Sequence, residues 1–475
     1  MRKTVLTISL IVFGLFNVIA QKDVPKAELN LKETGKIKSR KASEIKASYL
    51  GVGCEVLDRD FACYDSYKEY LGNLGVKHAR FQSGWAKTEK QKGVYDFSWL
   101  DRVIDDCLAR GIRPWMNTVY GNPVYEGGGD MQSSSKLPYT EEALNAWDAY
   151  IRNLVTHFRG RIFEWEIWNE IDHTGFKASS PEQYADFYIR TAGIIREIQP
   201  ESKIIALAIA YVGDTEFIRK FFKSLKDKEK LHLVDKVSFH GYPTNPDTGF
   251  EKTEALFNLL KEFNERIEAF QGETGSPSTF GTSGALSNFP FTEMKQAKWD
   301  TRRALAHIGR GIPFSLFTLS EFNYPGNRLN TKGKLKIDEN LKVVHVKQSY
   351  FAYQNLTSIF DSTVIAVAPG RAKISSDSAA VIYAFADRKN NLEVVAYWNS
   401  GRAPSDQTTT HTATVTLKGT RLKTPVLIDV RTGIVYQVPE SGIRQDGKDQ
   451  EYLVPVYDSP LLICEKKFLL GRGLL

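Results

Sequence analysis

Cysteine is scarce in this chain, and the few cysteines form no metal-binding pattern. The four cysteines, Cys54, Cys63, Cys107 and Cys464, lack the close spacing of metal ligands, and no disulfide bond is predicted from them. No cluster of basic residues stands out either: the formal net charge is +7, and the basic residues are spread along the chain. These absences argue against a zinc module and against a nucleic-acid partner. The mild basic excess is compatible with an anionic surface or substrate.

Long hydrophobic runs are missing beyond the N-terminal region. There, the apolar run Val5–Phe16 follows Arg2 and Lys3 and precedes the short segment 18–20. This pattern predicts a signal peptide over residues 1–20, cleaved before Gln21, and therefore export to the periplasm or the medium. No second run is long enough to cross a bilayer, so no integral membrane segment is expected after removal of the signal.

A glycine-rich phosphate turn is absent as well, and this bears on the fold. Short runs of β-branched and aromatic residues alternate with helical patterns, which predicts eight strands: 49–54, 76–82, 112–118, 162–168, 203–208, 234–240, 267–272 and 313–319. A doubly wound sheet would need G-x-G-x-x-G after its first strand, and "LGVGCEVLDRD" does not supply it. The alternation therefore favours an α/β fold of the (β/α)8 TIM-barrel type.

The composition predicts four segments along the chain. After the signal peptide, the Lys-rich residues 21–46 hold few large apolar side chains and are interpreted as a linker. The barrel is assigned to residues 47–360. Helical periodicity then stops, and short strand-like runs separated by turn signals such as Lys389-Asn390-Asn391 follow. Residues 361–475 are therefore predicted to form an antiparallel β-sandwich.

Two glutamates stand where a (β/α)8 barrel places its site, at the C-terminal ends of strands. "FEWEIWNEID" ends the fourth strand with Asn169 and Glu170, and "RIEAFQGETG" ends the seventh at Glu273. Three strand steps separate the two glutamates, so they are expected to face each other across the barrel mouth. One carboxyl that donates a proton and one that attacks suit glycoside hydrolysis. Either residue alone could be a solvated loop acid, but the pair at these positions favours catalysis.

The rest of "FEWEIWNEID" and the residue before it read as a strand. Ile162, Trp165 and Ile167 are predicted to fill buried strand positions. Glu164 and Glu166 alternate with them and are interpreted as acids inside the barrel.

These motifs resemble the retaining glycoside hydrolases of clan A. The Asn-Glu after strand four and the Glu after strand seven carry the likeness, and "VKHARFQSGWAKTEKQKGVYDFSWLDRVIDDCLARGIRPW" is similar to family 39, of the β-xylosidase and α-L-iduronidase types. The resemblance implies that Glu170 is the acid/base, Glu273 the nucleophile and Asn169 the partner of the neighbouring sugar hydroxyl. It covers roughly residues 49–465. It departs at strand eight, where "LFTLSEFNYPG" lacks the Trp found in many clan members.

Further candidates for substrate binding lie at or near the other strand tips: Arg80, Trp85, Asn117, His240, Tyr242 and Glu321. Arg80 and Tyr242 are predicted to hydrogen-bond Glu273, and His240 to orient Glu170 or to touch a hydroxyl. Structural alternatives stay open for each: an ion pair beneath the site for Arg80, packing for Trp85 and His240, and contact with water for Glu321.

The sequence thus predicts an exported retaining glycosidase that acts on oligosaccharides or polysaccharides and needs no cofactor or metal. Long loops over 121–139, 274–291 and 321–341 would wall the barrel mouth into a pocket, which favours removal of a terminal sugar by a β-xylosidase-like or β-glucosidase-like enzyme. The alternatives are a non-catalytic glycan-binding protein, an endo-acting glycanase of the same clan, and a structural or adhesive envelope protein.

Overall fold

A computed structural model describes residues 24–132, 136–173, 179–388 and 393–475 of the chain. The predicted signal peptide, residues 1–20, lies outside this range, as do residues 389–391 of the predicted turn. Within the described residues, no helix is both long enough and apolar enough to cross a membrane.

A closed barrel of eight parallel strands follows a short first strand, β1 (Glu33–Lys36). The barrel strands are β2 (Leu50–Gly53), β3 (His78–Gln82), β4 (Arg113–Thr118), β5 (Glu164–Ile167), β6 (Lys203–Ile209), β7 (Lys236–His240), β8 (Glu268–Thr274) and β9 (Phe314–Leu316). Pairing of β2 with β9, with Val52 opposite Leu316, closes the barrel. The predicted (β/α)8 fold is confirmed.

Ten α-helices are found in the described part of the chain. They are α1 (Tyr64–Asn73), α2 (Trp85–Thr88), α3 (Ser98–Ala109), α4 (Glu141–Phe158), α5 (Pro181–Ile198), α6 (Thr215–Asp227), α7 (Phe250–Phe263), α8 (Glu293–Ile308), α9 (Gln348–Ile359) and α10 (Lys466–Leu470). Local signals fix the start of α5, where Ser180 and Gln183 form a capping box around Pro181.

Strand β5 carries apolar and acidic side chains in alternation, and their burial differs. Trp165 and Ile167 are fully buried, as is Ile162 just before the strand. Glu166 is also fully buried, whereas Glu164 is partly exposed and forms an ion pair with Lys236 at 2.7 Å. The interpretation of the two glutamates as acids of the barrel interior is therefore confirmed for Glu166.

Two β-hairpins follow the last barrel strand, in a region expected to be a loop. They are built from β10 (Phe322–Tyr324) with β11 (Arg328–Asn330), and β12 (Leu335–Ile337) with β13 (Val343–Val346). The predicted loop over 321–341 therefore contains three short strands, β10, β11 and β12, and their pairing satisfies part of its backbone groups.

The C-terminal strands form two antiparallel sheets that share a core. They are β14 (Val364–Ala366), β15 (Ala372–Ser376), β16 (Ala380–Asp387), β17 (Glu393–Asn399), β18 (His411–Leu417), β19 (Pro425–Asp429), β20 (Ile434–Gln437), β21 (Ile443–Asp446), β22 (Asp449–Val456) and β23 (Leu461–Glu465). One sheet has the order β1-β20-β19-β23-β17-β16-β14, and the other has the order β15-β18-β22-β21. Alternate residues of β17 explain the layering: Val395 packs into the core between the sheets, and Val394 packs into the core of the barrel.

Part of the segment predicted to be a linker belongs to the larger of these sheets. Strand β1 pairs with β20, with Glu33 opposite Tyr436. Ala27 and Leu29 are buried in the core between the two sheets. The prediction of a linker over 21–46 is thus wrong for this part, because backbone pairing makes a strand from the polar sequence "ETGK".

Candidate active site

Arg80 on β3 bonds three residues at the C-terminal mouth of the barrel. Its side chain is fully buried and donates from Nε to Glu166 at 2.6 Å, from Nη1 to Glu273 at 2.9 Å and from Nη2 to Asn169 Oδ1 at 2.8 Å. Burial alone would lower the pKa of Arg80, but the charges of Glu166, Glu273 and Glu55 outweigh it and raise the pKa. The guanidinium is therefore a fixed cation that orients two of the predicted site residues.

Glu273 lies near the end of β8 and is held at both carboxylate oxygens. Arg80 donates to Oε2, and the hydroxyl of Tyr242 donates to Oε1 at 2.6 Å. These are the two contacts that the sequence predicted for Glu273. The carboxylate therefore has one orientation, with 12% of its side chain exposed at the mouth.

A strained turn after β5 places Glu170. The φ angles of Trp168 and Glu170 are 65° and 48°, in the left-handed region that side chains disfavour. Hydrogen bonds hold the turn: Asn117 Nδ2 donates to the Trp168 carbonyl at 2.6 Å, and the Glu170 amide donates to the Ala208 carbonyl at 2.9 Å. Asn117 is fully buried and positions this turn through Nδ2, and its contact with substrate stays a prediction.

His240 at the end of β7 contacts both glutamates. Its Nδ1 lies 2.9 Å from Glu170 Oε1 and 3.7 Å from Glu273 Oε2. Burial lowers the pKa of His240, but Glu273 and Glu170 outweigh it and raise the pKa. Burial raises the pKa of Glu170, but the hydrogen bond and charge of His240 outweigh it and lower the pKa. Both shifts favour the form of the pair in which His240 is protonated and Glu170 is ionised.

The carboxylates of Glu170 and Glu273 are close enough to act on one sugar carbon. One ligand atom from each of Glu170, His240 and Glu273 can be chosen so that all three lie within 4.8 Å of one another. Retaining glycosidases have carboxyl groups roughly 5 Å apart, whereas inverting enzymes leave room for a water molecule between them. The same three atoms are also close enough to bind a cation, and the absence of a metal requirement stays a prediction.

Glu55, just after β2, is a further acid at the mouth that the sequence reasoning missed. It is 3% exposed, and its Oε1 lies 3.4 Å from Arg80 Nη1. Burial raises the pKa of Glu55 to about 7, against the opposing charge of Arg80. The rule that found Glu170 and Glu273, an acid at a strand tip, would also have found Glu55 in "LGVGCEVLDRD".

The hairpins after β9 supply further polar residues that the sequence reasoning missed. Lys332, between β11 and β12, is 1% exposed, and its Nζ lies 5.4 Å from the ring centroid of Tyr242. Tyr324 on β10 has a pKa raised to about 12, chiefly by burial, and the charges of Glu273 and Glu170 also raise it. No strand-tip pattern marks these positions, because they reach the mouth only through the fold of the hairpins.

Two predicted substrate-binding residues do not line the mouth. Trp85 is fully buried, stacks on Tyr125 and Tyr150, and donates from Nε1 to Glu89 at 2.6 Å, so it is a core residue. Glu321 is 4% exposed at its side chain and forms an ion pair with Lys347 at 2.5 Å. Both predictions as sugar contacts are wrong, because packing and ion pairing occupy these side chains.

A cavity of about 580 Å³ lies at the other end of the barrel. His78, Glu164 and Lys236, which line it, stand at the N-terminal ends of their strands. Catalytic sites of this fold lie at the C-terminal ends, so the carboxylate mouth and not this cavity is the candidate active site.

The site places two facing carboxylates, one of them held by a buried arginine and a tyrosine, at the mouth of a (β/α)8 barrel, and most glycoside hydrolases use such a pair of carboxylates. Residues 74–269 match the family model described as glycosyl hydrolases family 39. The match includes Glu170 and ends before Glu273.

Similar proteins agree with this class. A β-xylosidase of Geobacillus stearothermophilus is 28% identical over 162 residues, which cover 32% of each chain, so the match spans about a third of that relative. A family 39 glycoside hydrolase from the gut symbiont Bacteroides cellulosilyticus WH2 is similar in structure, with a TM-score of 0.67 and 18% identity over 90% of this chain and 82% of the other. A monomeric β-xylosidase from Caulobacter crescentus CB15 gives a TM-score of 0.57 and 16% identity over 91% and 98%. The chain is thus similar to glycoside hydrolases of family 39 over part of its length.

Proposed function

We propose that this chain hydrolyses glycosidic bonds by double displacement with retention of configuration, and that it removes sugars from chain ends. The observation that carries this is the close approach of the Glu170 and Glu273 carboxylates, with ligand atoms within 4.8 Å, at the C-terminal mouth of the barrel.

Each step assigns one task to each glutamate. Glu273 attacks the anomeric carbon while the bond to the leaving oxygen breaks, and Glu170 gives its proton to that oxygen. Water then attacks the glycosyl ester, Glu170 takes a proton from it, and Glu273 leaves. Arg80 and Tyr242 hold the Glu273 oxygens throughout. Asn169 accepts from Arg80 through Oδ1, which leaves its Nδ2 as a donor for the sugar 2-hydroxyl.

His240 shares the catalytic proton with Glu170. Glu170 must be protonated when the first bond breaks, and the resting site keeps this proton on His240 Nδ1, 2.9 Å away. The approach of a substrate oxygen supplies a new acceptor for the proton, so the proton moves to Glu170 as the leaving group binds.

Removal of terminal sugars is supported by the segments around the mouth. A long segment separates β4 from α4, and another separates β8 from α8. The hairpin β10–β11 bonds the second of these segments, where the Ser283 amide donates to the Leu329 carbonyl at 2.7 Å. Lys332, just after this hairpin, lies against Tyr242, so this part of the chain reaches the catalytic residues. Segments on several sides would wall the mouth into a pocket that admits one terminal sugar, whereas an endo-acting enzyme needs an open groove.

Export is supported by the N-terminal pattern, a basic start followed by an apolar run and small residues. Expression of the full sequence in a Gram-negative host, followed by mass determination, tests it. Mature protein that begins at Gln21 in the periplasm or the medium agrees with export, and full-length protein in the cytoplasm contradicts it.

Turnover is tested with a panel of nitrophenyl glycosides, using Glu273→Ala as the inactive control. Hydrolysis of at least one glycoside by the wild type, lost in the variant, supports the proposal. Binding of glycans without turnover would instead identify a glycan-binding protein.

The mode of action is tested on a polysaccharide that contains the sugar found with this panel. Single sugars released in the first minutes support the pocket. A ladder of mid-length products would show an endo-acting glycanase.

A further inference from the structure

The cavity of about 580 Å³ at the N-terminal end of the barrel reaches into the barrel interior. Its wall includes Trp115, which is 3% exposed. The Trp115 Nε1 donates at 3.4 Å to Glu166 Oε2, the oxygen that also accepts from Arg80. The cavity therefore lies directly beneath the charged residues of the mouth. Bulky branched side chains usually fill the interior of this fold, and cavities of this volume are typical of small-molecule sites.

Two small residues on adjacent strands help to keep this space open. Gly51 on β2 pairs with Ser315 on β9, and both residues line the cavity. A Cβ at Gly51 would lie 3.5 Å from Ser315 Oγ, so the two positions face each other. Bulky side chains at these positions would take up part of the cavity.

Three half-buried polar side chains of the wall have bonding capacity that the described residues leave unused. The ring of His78 forms no hydrogen bond or ion pair with any of these residues. Glu164 and Lys236 share one contact, from Nζ to Oε1 at 2.7 Å, which leaves the other carboxylate oxygen and further N–H groups for a ligand. Burial lowers the pKa of His78, and Glu164 opposes this. At neutral pH the ring is therefore neutral and offers one donor and one acceptor.

Aromatic rings and balanced charges make up much of the remaining wall. Trp115 and Phe270 pack edge to face with ring centroids 5.9 Å apart, and Phe257 and Tyr49 also line the cavity. Three cationic and three anionic side chains belong to the lining: Lys236, Lys261, Arg310, Glu164, Glu265 and Glu268. This balance favours no charged ligand. An apolar ligand would leave the polar groups without partners, which costs free energy.

A neutral sugar satisfies both parts of this wall. Its C–H faces pack on aromatic rings, and each of its hydroxyls both donates and accepts hydrogen bonds. Of two neighbouring hydroxyls, one can donate to Glu164 while the other accepts from Lys236. We propose that this cavity binds a neutral monosaccharide or disaccharide, at the end of the barrel opposite to the catalytic mouth. Binding there is independent of hydrolysis at the mouth.

The test reads each end of the barrel with its own tryptophan. The whole protein is labelled with 5-fluorotryptophan, and fluorine NMR follows its 8 tryptophans during titration with glucose, galactose, xylose and cellobiose. The variants Trp115→Phe and Trp168→Phe identify two of the resonances. Trp115 reports on the cavity, and Trp168, next to Asn169, reports on the mouth.

At least one sugar is expected to shift the Trp115 resonance until the site is saturated. Lys236→Met is expected to raise the dissociation constant read at Trp115 by about 10-fold or more, because a hydrogen bond to a charged group is lost. His78→Phe keeps the ion pair and is expected to raise it by about 3- to 10-fold, the effect of a neutral hydrogen bond. Arg113→Met changes an exposed residue at the same end of the barrel, outside the cavity lining, and is expected to leave it unchanged.

Three results would overturn the proposal. The first is a Trp115 resonance that none of these sugars shifts. The second is a shift that stays equally strong in Lys236→Met and His78→Phe, which would be transmitted from sugar bound at the mouth. The third is a shift caused by p-cresol and by none of the sugars, which would identify a site for apolar rings. The dispersion of the other tryptophan resonances shows whether each variant is folded, and His78→Phe decides the matter if Lys236→Met is not.

Discussion

At the scale of single residues, the site depends on two glutamates that differ in their neighbours. Glu273 is held by Arg80 and Tyr242, and both donate hydrogen bonds to its oxygens. Glu170 has His240 as its close partner. A carboxylate held by fixed donors suits attack on carbon, and a carboxyl beside a titrating histidine suits proton transfer.

This difference predicts how removal of Glu170 depends on the leaving group. Glu170→Ala is expected to slow substrates with poor leaving groups far more than aryl glycosides with activated leaving groups, because only poor leaving groups need the proton. The measurement is kcat/KM over a series of aryl leaving groups of different acidity. Equal loss across the series would show that Glu170 is not the acid.

The shared proton predicts a pH dependence. The raised pKa of His240 keeps the proton in the pair below that pKa, so kcat/KM should fall as pH rises through a value above 6.5, the ordinary pKa of histidine. In His240→Phe, only Glu170 can hold the proton. A proton that two groups share has a higher apparent pKa than a proton that one of these groups holds alone. The basic limb of the profile is therefore expected at lower pH.

The measurement is kcat/KM from about pH 4 to about pH 9. The control is His345→Phe, since His345 is an exposed histidine that bonds Glu293. A basic limb that stays in place in His240→Phe would show that the histidine does not share the proton of Glu170.

At the scale of elements, the hairpins after β9 are fastened to the barrel by a buried ion pair. Lys347, at the end of the second hairpin, bonds Glu321 at 2.5 Å and Ser278 Oγ at 2.8 Å. These contacts fix the segment that carries Lys332. Glu321 therefore serves the site through the position of this segment.

Glu321→Ala is expected to lower the free energy of unfolding by about 3–5 kcal/mol, because it leaves Lys347 buried without its counter-ion. The KM for small aryl glycosides is expected to change little in the fraction that stays folded. Urea unfolding and steady-state kinetics measure the two effects. The double variant Glu321→Ala/Lys347→Met should recover part of the stability. Unchanged stability with a raised KM would restore the role in substrate binding.

At the scale of the whole molecule, the N-terminal segment and the C-terminal sheets are one unit. Strand β1 covers the edge of β20, and Leu29 is buried in the core between the sheets. Deletion of residues 1–36 is expected to lower the midpoint of thermal unfolding, compared with a control that lacks only residues 1–23. Calorimetry measures both. Identical midpoints would show that β1 adds no stability.

The sequence predicted what local patterns encode. The alternation of strand and helix patterns predicted the barrel. The ends of the predicted strands identified Glu170, Glu273, Arg80, His240 and Tyr242 as site residues. It missed Lys332 because the position of a hairpin over the mouth depends on long-range packing. It misplaced Trp85 because a short helix turns that ring into the core. It missed β1 because the exposed strand has no apolar pattern and forms by backbone pairing alone.

Double displacement by Glu273 and Glu170 is tested most directly by the configuration of the first product. Proton NMR follows hydrolysis of the best aryl glycoside from the first minutes, before the free sugar equilibrates between its anomers. Attack by Glu273 and then by water inverts the anomeric carbon twice, so the first-formed sugar should have the configuration of the substrate. A first product of the opposite configuration would show a single displacement by water and would contradict the assignment of Glu273 as nucleophile.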